Sequence, residues 1–128
     1  MDVYKTHGAF SWSELMTNDP AAAREFYSKL FGWGSKEMPM PDGAYTTFQV
    51  GDTSVGGMMK IPAGAAGMPP MWGVYVTVRD VDSTVKQVAA LGGKVVMAPW
   101  EVPGVGRMAV IQDPQGASLS VITYSMPG

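Results

Sequence analysis

The stretch FSWSELMTNDPAAAREFYSKLFGWG, residues 10–34, decides the fold. Its first part alternates, with Phe10, Trp12, Glu14 and Met16 on one face and Ser11, Ser13 and Leu15 on the other, which suits a strand over residues 8–17. Asn18-Asp19-Pro20 then turns the chain into a helix. Asp19 is placed to cap that helix, and Pro20 fits its first turn, where no amide donor is needed. Ala23, Phe26, Tyr27 and Leu30 recur at three- and four-residue spacing and predict one buried stripe. Gly32 is the C-terminal stop.

Sixty-one residues later the same order returns in GVYVTVRDVDSTVKQVAALGGKV, with Asp80 opposite Asp19, Leu91 opposite Leu30 and Gly93 opposite Gly32. The same shift pairs Gly43 with Gly104, Asp52 with Asp113 and Ile61 with Ile122, so turns and apolar runs agree as a duplicated unit predicts. In the first half, residues 33–38, 44–50 and 53–61 read as further strands, with turns at Pro41-Asp42-Gly43 and Gly51-Asp52. PAGAAGMPP, residues 62–70, is a connector that neither a strand nor a helix can absorb. The second half reads as a strand over 72–78, a helix from about 81 to 91, and a short strand over 94–97. A loop through Pro99 and Pro103 follows, then strands over 107–112 and 117–124 joined by Asp113-Pro114-Gln115-Gly116. These elements make one domain over residues 1–128 with half-units 8–61 and 72–124. Its class is α+β, two tandem β-α-β-β-β units forming a curved, mostly antiparallel sheet around a shared groove.

Composition narrows the function classes. A chain of 128 residues that is 46% hydrophobic can bury one core of ordinary size. The formal net charge of −2 offers no basic stripe for a phosphate backbone, so no nucleic acid partner is expected. No apolar run is long enough to span a bilayer and the first ten residues do not read as a signal peptide, so neither a membrane partner nor a location outside the cytoplasm is expected. With no cysteine there is no disulfide, thiolate metal site or cysteine nucleophile. Eleven methionines and sixteen glycines point to pliable apolar surfaces beside tight turns.

The doubled unit, NDPAAAREFYSKLFGW, VRDVDSTVKQVAALGGKV and the closing DPQGASLSVI together resemble the vicinal oxygen chelate superfamily, which includes glyoxalase I, extradiol dioxygenases and the fosfomycin and bleomycin resistance proteins. The resemblance runs from about residue 8 to residue 124 and implies the fold more than the chemistry. Metal-using members place ligands on the first and last strands of each half. That implies Trp12, Met59, Gly73 and Ser120 as the corresponding positions here. None is a His, Glu or Gln, so no metal and no other cofactor is expected.

The expected groove lining is Trp12, Glu14, Met59, Gly73, Tyr75, Thr77, Ser118 and Ser120, with Arg107 available for an anionic group. Trp12 is either a stacking platform or core filler. Glu14 is either a general base or a cation holder, or else a solvated carboxylate at the groove edge, or one paired with Arg107 or Lys60. Ser120 lacks the partners of a hydrolytic triad, and His7 precedes the first strand as an exposed imidazole. Trp72 and Trp100 are placed to lid the groove or to make a subunit contact. Two functions stand side by side: a metal-independent binder of a small organic ligand, or an enzyme, either a metal-dependent lyase, isomerase or dioxygenase of the same superfamily or a metal-free catalyst using Glu14. A homodimer is expected from the exposed strand edges.

Overall fold

The structure is a computed structural model that describes residues 1–40, 43–62 and 67–125. Pro41 and Asp42 of the first expected turn, and residues 63–66 of the connector, lie outside the described residues. In chain order the elements are β1 Phe10–Thr17, α1 Pro20–Phe31, β2 Gly34–Met40, β3 Gly43–Val50, β4 Thr53–Lys60, β5 Met71–Thr77, α2 Val81–Val88 followed by a 3-10 turn at Ala89–Leu91, β6 Lys94–Val102, β7 Gly106–Gln112 and β8 Ser118–Tyr124. The described fold is therefore mixed α+β and carries the β-α-β-β-β order twice. The chain divides into two compact units: Trp12–Gly73, the first unit here, and Met1–Ser11 with Val74–Gly128, the second.

Within the first unit the strand order is β2-β3-β4-β1. β1 and β4 run parallel with Glu14 opposite Gly57, and the other neighbours are antiparallel. The second unit has the matching order β5-β8-β7-β6, with β5 and β8 parallel and Tyr75 opposite Ser120. Parallel neighbours need a crossover, and in each unit the helix and its following hairpin supply it.

Local chemistry explains both helices. Asp19 Oδ1 accepts from the Ala22 amide at 3.1 Å, and Asp80 Oδ1 accepts from the Ser83 amide at 3.1 Å, so each aspartate satisfies a donor that the first helical turn leaves over. Gly32 ends α1 in the left-handed region at φ 75°, donating to the Ser28 carbonyl. The second helix stops one residue earlier in the repeat. There Gly92 holds the left-handed conformation at φ 91°, and Gly93 follows it.

Each helix covers one side of its own strands. α2 lays Val81 and Val85 on Val78, Ala109 and Val121, with Val76 and Ile111 at the margin. α1 lays Ala23 and Tyr27 on Leu15, Phe48 and Met58, with Trp33 beside them. The stripe predicted for α1 is only half realised. Phe26 and Leu30, each 59% exposed, lie outside it, and α1 contains no buried residue. The inward volume they would fill is taken instead by large rings: Tyr27, Trp33, Phe48 and Trp72 form a cluster with centroids 4.9–6.3 Å apart.

Two further expectations change. Residues 98–102, read as loop because of Pro99, continue β6 to Val102. Among the described residues the strand pairs only with β7, and it shifts register between Val95 and Met97 and again between Met97 and Trp100; an irregular edge strand tolerates a proline. These extra residues put the repeat out of step. Gly43 opens β3, and Gly106 opens β7, two residues beyond the Gly104 that a constant shift gives. In the closing strands the counterpart of Ser120 is consequently Gly57 rather than Met59, since Glu14 faces Gly57 as Tyr75 faces Ser120.

Candidate functional site

With Leu15, Phe48 and Met58 turned to α1, strand alternation turns Trp12, Glu14, Met16, Tyr45, Thr47, Gly57 and Met59 to the face that α1 does not cover, the first unit's open face, on which Trp12, Thr47 and Met59 are part-buried and the others buried. Trp12 Nε1 donates to Tyr45 Oη at 2.8 Å. The phenol reaches the indole by crossing Gly57, where a Cβ would stand 1.8 Å from the Tyr45 hydroxyl oxygen and 2.9 Å from Trp12 Nε1. Glu14 sits beside Gly57 and is 2% exposed, so the solvated-edge reading of this carboxylate does not hold. Lys60 and Arg107 are not ion-paired to it: Lys60 is exposed at the end of β4, and Arg107 is engaged elsewhere. Among the described residues no buried side-chain nitrogen or oxygen is left without a partner.

The second unit's open face carries Tyr75, Thr77, Met108, Val110, Ser120 and Ile122. Tyr75 is buried, and its hydroxyl donates to Met108 Sδ at 3.6 Å. Ser120 is buried beside it in register, while Ser118 is exposed at the start of β8. Thr77 is not free to line a groove. Its hydroxyl donates to the Val3 carbonyl at 2.6 Å, and its backbone bonds to both Gly8 and Ala9. The N-terminal residues thus cross this face, with Tyr4 edge-on to Tyr124 at 5.2 Å and the Tyr124 hydroxyl 2.7 Å from Ser11 Oγ. His7 is exposed as expected, and its Nδ1 accepts from the Arg79 amide at 2.9 Å.

Arg107 corrects the expected lining. It faces the helix side, donating to Asp82 of α2 through Nε at 2.7 Å and through the terminal nitrogen at 2.9 Å, with Glu101 at 3.7 Å. The hydrogen bond from Arg107 holds the Asp82 carboxyl below its usual range and raises the guanidinium in turn. Trp72 is no lid either. Its Nε1 donates to Tyr27 Oη at 3.1 Å within the aromatic cluster under α1, and Trp100 pairs with Met108 across β6 and β7. Gly73 closes the first unit half-buried, with open space where a side chain would stand.

At Trp12, Met59, Gly73 and Ser120, the positions that the resemblance implies for a metal, the side chains are an indole, a thioether, a hydrogen and a hydroxyl, and the register makes the counterpart of the hydroxyl a second glycine. The indole N–H already donates to Tyr45, and an indole has no lone pair to offer a metal. This donor set does not fit a divalent ion that needs carboxylate or imidazole ligands. Among the described residues no three His, Asp or Glu side chains converge as a metal-holding group.

Alternation read from the sequence turned Trp12, Glu14 and Met59 to one face, where the register also places them, but it did not name Tyr45 and Gly57 beside them. The alternation of β3 and the Gly56-Gly57 pair inside a strand were the available signals, because glycine in a strand interior marks a close approach. Among the described residues no helix is long and apolar enough to cross a membrane.

Comparison with known proteins agrees with this architecture. Residues 9–121 match the family described as Glyoxalase/Bleomycin resistance protein/Dioxygenase superfamily. The chain is 39% identical over 117 residues to "Putative glyoxylase CFP32" of Mycobacterium bovis, covering 89% of this chain and 45% of that protein. It is 39% identical over 127 residues to the anthracycline biosynthesis protein DauV of Streptomyces sp. strain C5, covering 89% of this chain and 46% of that one. It therefore spans about half the length of the curated relatives it matches. The crystal structure of methylmalonyl-CoA epimerase from Mycobacterium tuberculosis shares the fold, with a TM-score of 0.61 at 15% identity over 90% of this chain and 86% of that one.

Proposed function

The chain belongs to the glyoxalase/bleomycin resistance protein/dioxygenase superfamily, and from that premise we propose that it binds a small organic ligand on the open face of its first unit without a metal. The hydrogen-bonded Trp12–Tyr45 pair carries this reading. It stands where metal-using members begin their ligand set, and it supplies apolar area with its polar atoms already satisfied. Similarity to an anthracycline biosynthesis protein favours a flat polycyclic ligand. A homodimer goes with the reading, since β2 and β6 are each bonded on one side only among the described residues.

Titration with an anthracycline tests the proposal. Quenching of tryptophan fluorescence, with the anthracycline unaltered, is the expected result. At about 100 times Kd the ligand stabilises the fold by about 2.7 kcal/mol, which raises Tm by several degrees. Stoichiometric zinc, nickel, manganese or iron in protein purified without chelator would sink the metal-free part. Sedimentation checks the dimer.

A second reading is favoured by one observation, the burial of Glu14 on the same face. A buried carboxylate beside a ligand platform can take a proton from a bound carbon acid. Conversion of the probe by the parent chain and its loss in Glu14→Gln would move the protein from binder to catalyst.

A further inference from the structure

Resting on the binding reading above, we infer that Tyr45 and Gly57 are the specificity determinants of the first unit's open face, because together they make Trp12 a ring-face platform for flat aromatic ligands. Three observations carry this. The indole N–H of Trp12 is committed to Tyr45 Oη at 2.8 Å, so the indole edge has no donor left for a ligand and offers only its π faces. Tyr45 is buried, 7% exposed, which keeps the phenol from swinging away and so holds the indole in one orientation. Finally, the pair exists only because position 57 lacks a Cβ, which would lie 1.8 Å from the Tyr45 hydroxyl oxygen and 2.5 Å from its ring carbon Cζ.

The contrast with the other tryptophans of this unit is informative. Trp33 and Trp72 spend their faces on Tyr27 and Phe48 within the aromatic cluster under α1. Trp12, only part-buried, stacks on no ring among the described residues. A ring whose edge is tied and whose face is unstacked selects for area and planarity, and offset stacking is the geometry by which it gains most. The chemical class is therefore a fused planar aromatic. Ligands recognised through an indole N–H, or compact saturated ones, gain little here.

The test uses the full chain and two cationic probes of unlike shape, flat 9-aminoacridine and globular 1-aminoadamantane. Wild type should bind the first and, at the same concentrations, not the second; equal binding of both would refute the planar class. Tyr45→Phe should move the Trp12 indole N–H resonance, identified by its absence in Trp12→Phe, and weaken 9-aminoacridine by about two- to tenfold, the span of one hydrogen bond. Gly57→Ala should weaken it by about tenfold or more, and the same change made in Tyr45→Ala should cost clearly less, because the 1.8 Å clash with the phenol is gone and only the 2.9 Å approach to Trp12 Nε1 remains. An additive Gly57→Ala effect would mean a general folding defect and would overturn the pairing of the two residues. If wild type binds the flat probe and Tyr45→Phe binds it equally well, the specificity inference fails and the binding reading survives. If wild type binds neither probe, both fail.

Discussion

The two helices occupy equivalent places after equivalent caps, yet they seal their units differently. α2 closes the second unit with β-branched side chains: Val81 is buried in a core with Val78, Ala109 and Val121, Val85 packs against it, and Val88 is buried as well. α1 has no fully buried residue, and the first unit's core is roofed by its part-buried Tyr27 together with Trp33 and Trp72 over Phe48. Small branched residues fill space by close approach, whereas rings fill it by area at centroid distances of about 5–6 Å, and Phe26 and Leu30 of α1 stay in solvent. Shared punctuation thus does not imply shared packing.

The largest expected effect comes from removing the keystone of the ring-based core. Phe48→Ala should destabilise by about 3–5 kcal/mol, and Val81→Ala in the helix-sealed core by about 1.5–3 kcal/mol. Urea denaturation measures both, and equal losses would break the contrast. The repeated glycines come next. At Gly93 a Cβ would meet the Gln112 carbonyl at 2.6 Å, so Gly93→Ala should cost about 3 kcal/mol, near the top of the overpacking range. Gly32 has open space but φ 75°, so Gly32→Ala should cost only about 1 kcal/mol of backbone strain. If Gly32 proves the costlier site, close packing at α2 is not what distinguishes the two ends.

The smallest effect lies at the exposed Asp82–Arg107 pair, for which the first unit shows only the single Arg24–Glu37 ion pair between helix and strand among the described residues. Asp82 has its folded carboxyl below the ordinary 3.8, so its contribution is fully present above that value and fades as pH falls through the folded one. Asp82→Asn should lower Tm slightly at neutral pH, and the difference from wild type should vanish in strong acid. A difference that persists there would assign the effect to packing rather than charge.

Much of this fold was legible because its signals are local. Asp19, Pro20 and Gly32 act within a few residues of themselves, as do Asp80 and the Asp113 turn, whose Oδ1 accepts from Gln115 and Ala117. The candidate site was half legible for the same reason, since alternation along a single strand turned Trp12 and Glu14 to one face. Two things went astray at a distance. The bulges of β6 shifted every later equivalence by two residues, and no periodicity reveals a bulge on an edge strand. Arg107 was assigned to the open face, but its alternation lines it up with Thr123 and its charge with Asp82 on the helix side.

From residues alone, then, come the order of elements and the duplication, because caps and turns are properties of a residue and its near neighbours. Only the folded chain could bring Tyr45 to Trp12 across Gly57, bury Glu14 beside them and stretch the N-terminal residues over Thr77. Those contacts join segments dozens of residues apart, and their geometry depends on strand register, which the whole sheet sets rather than any one stretch of it.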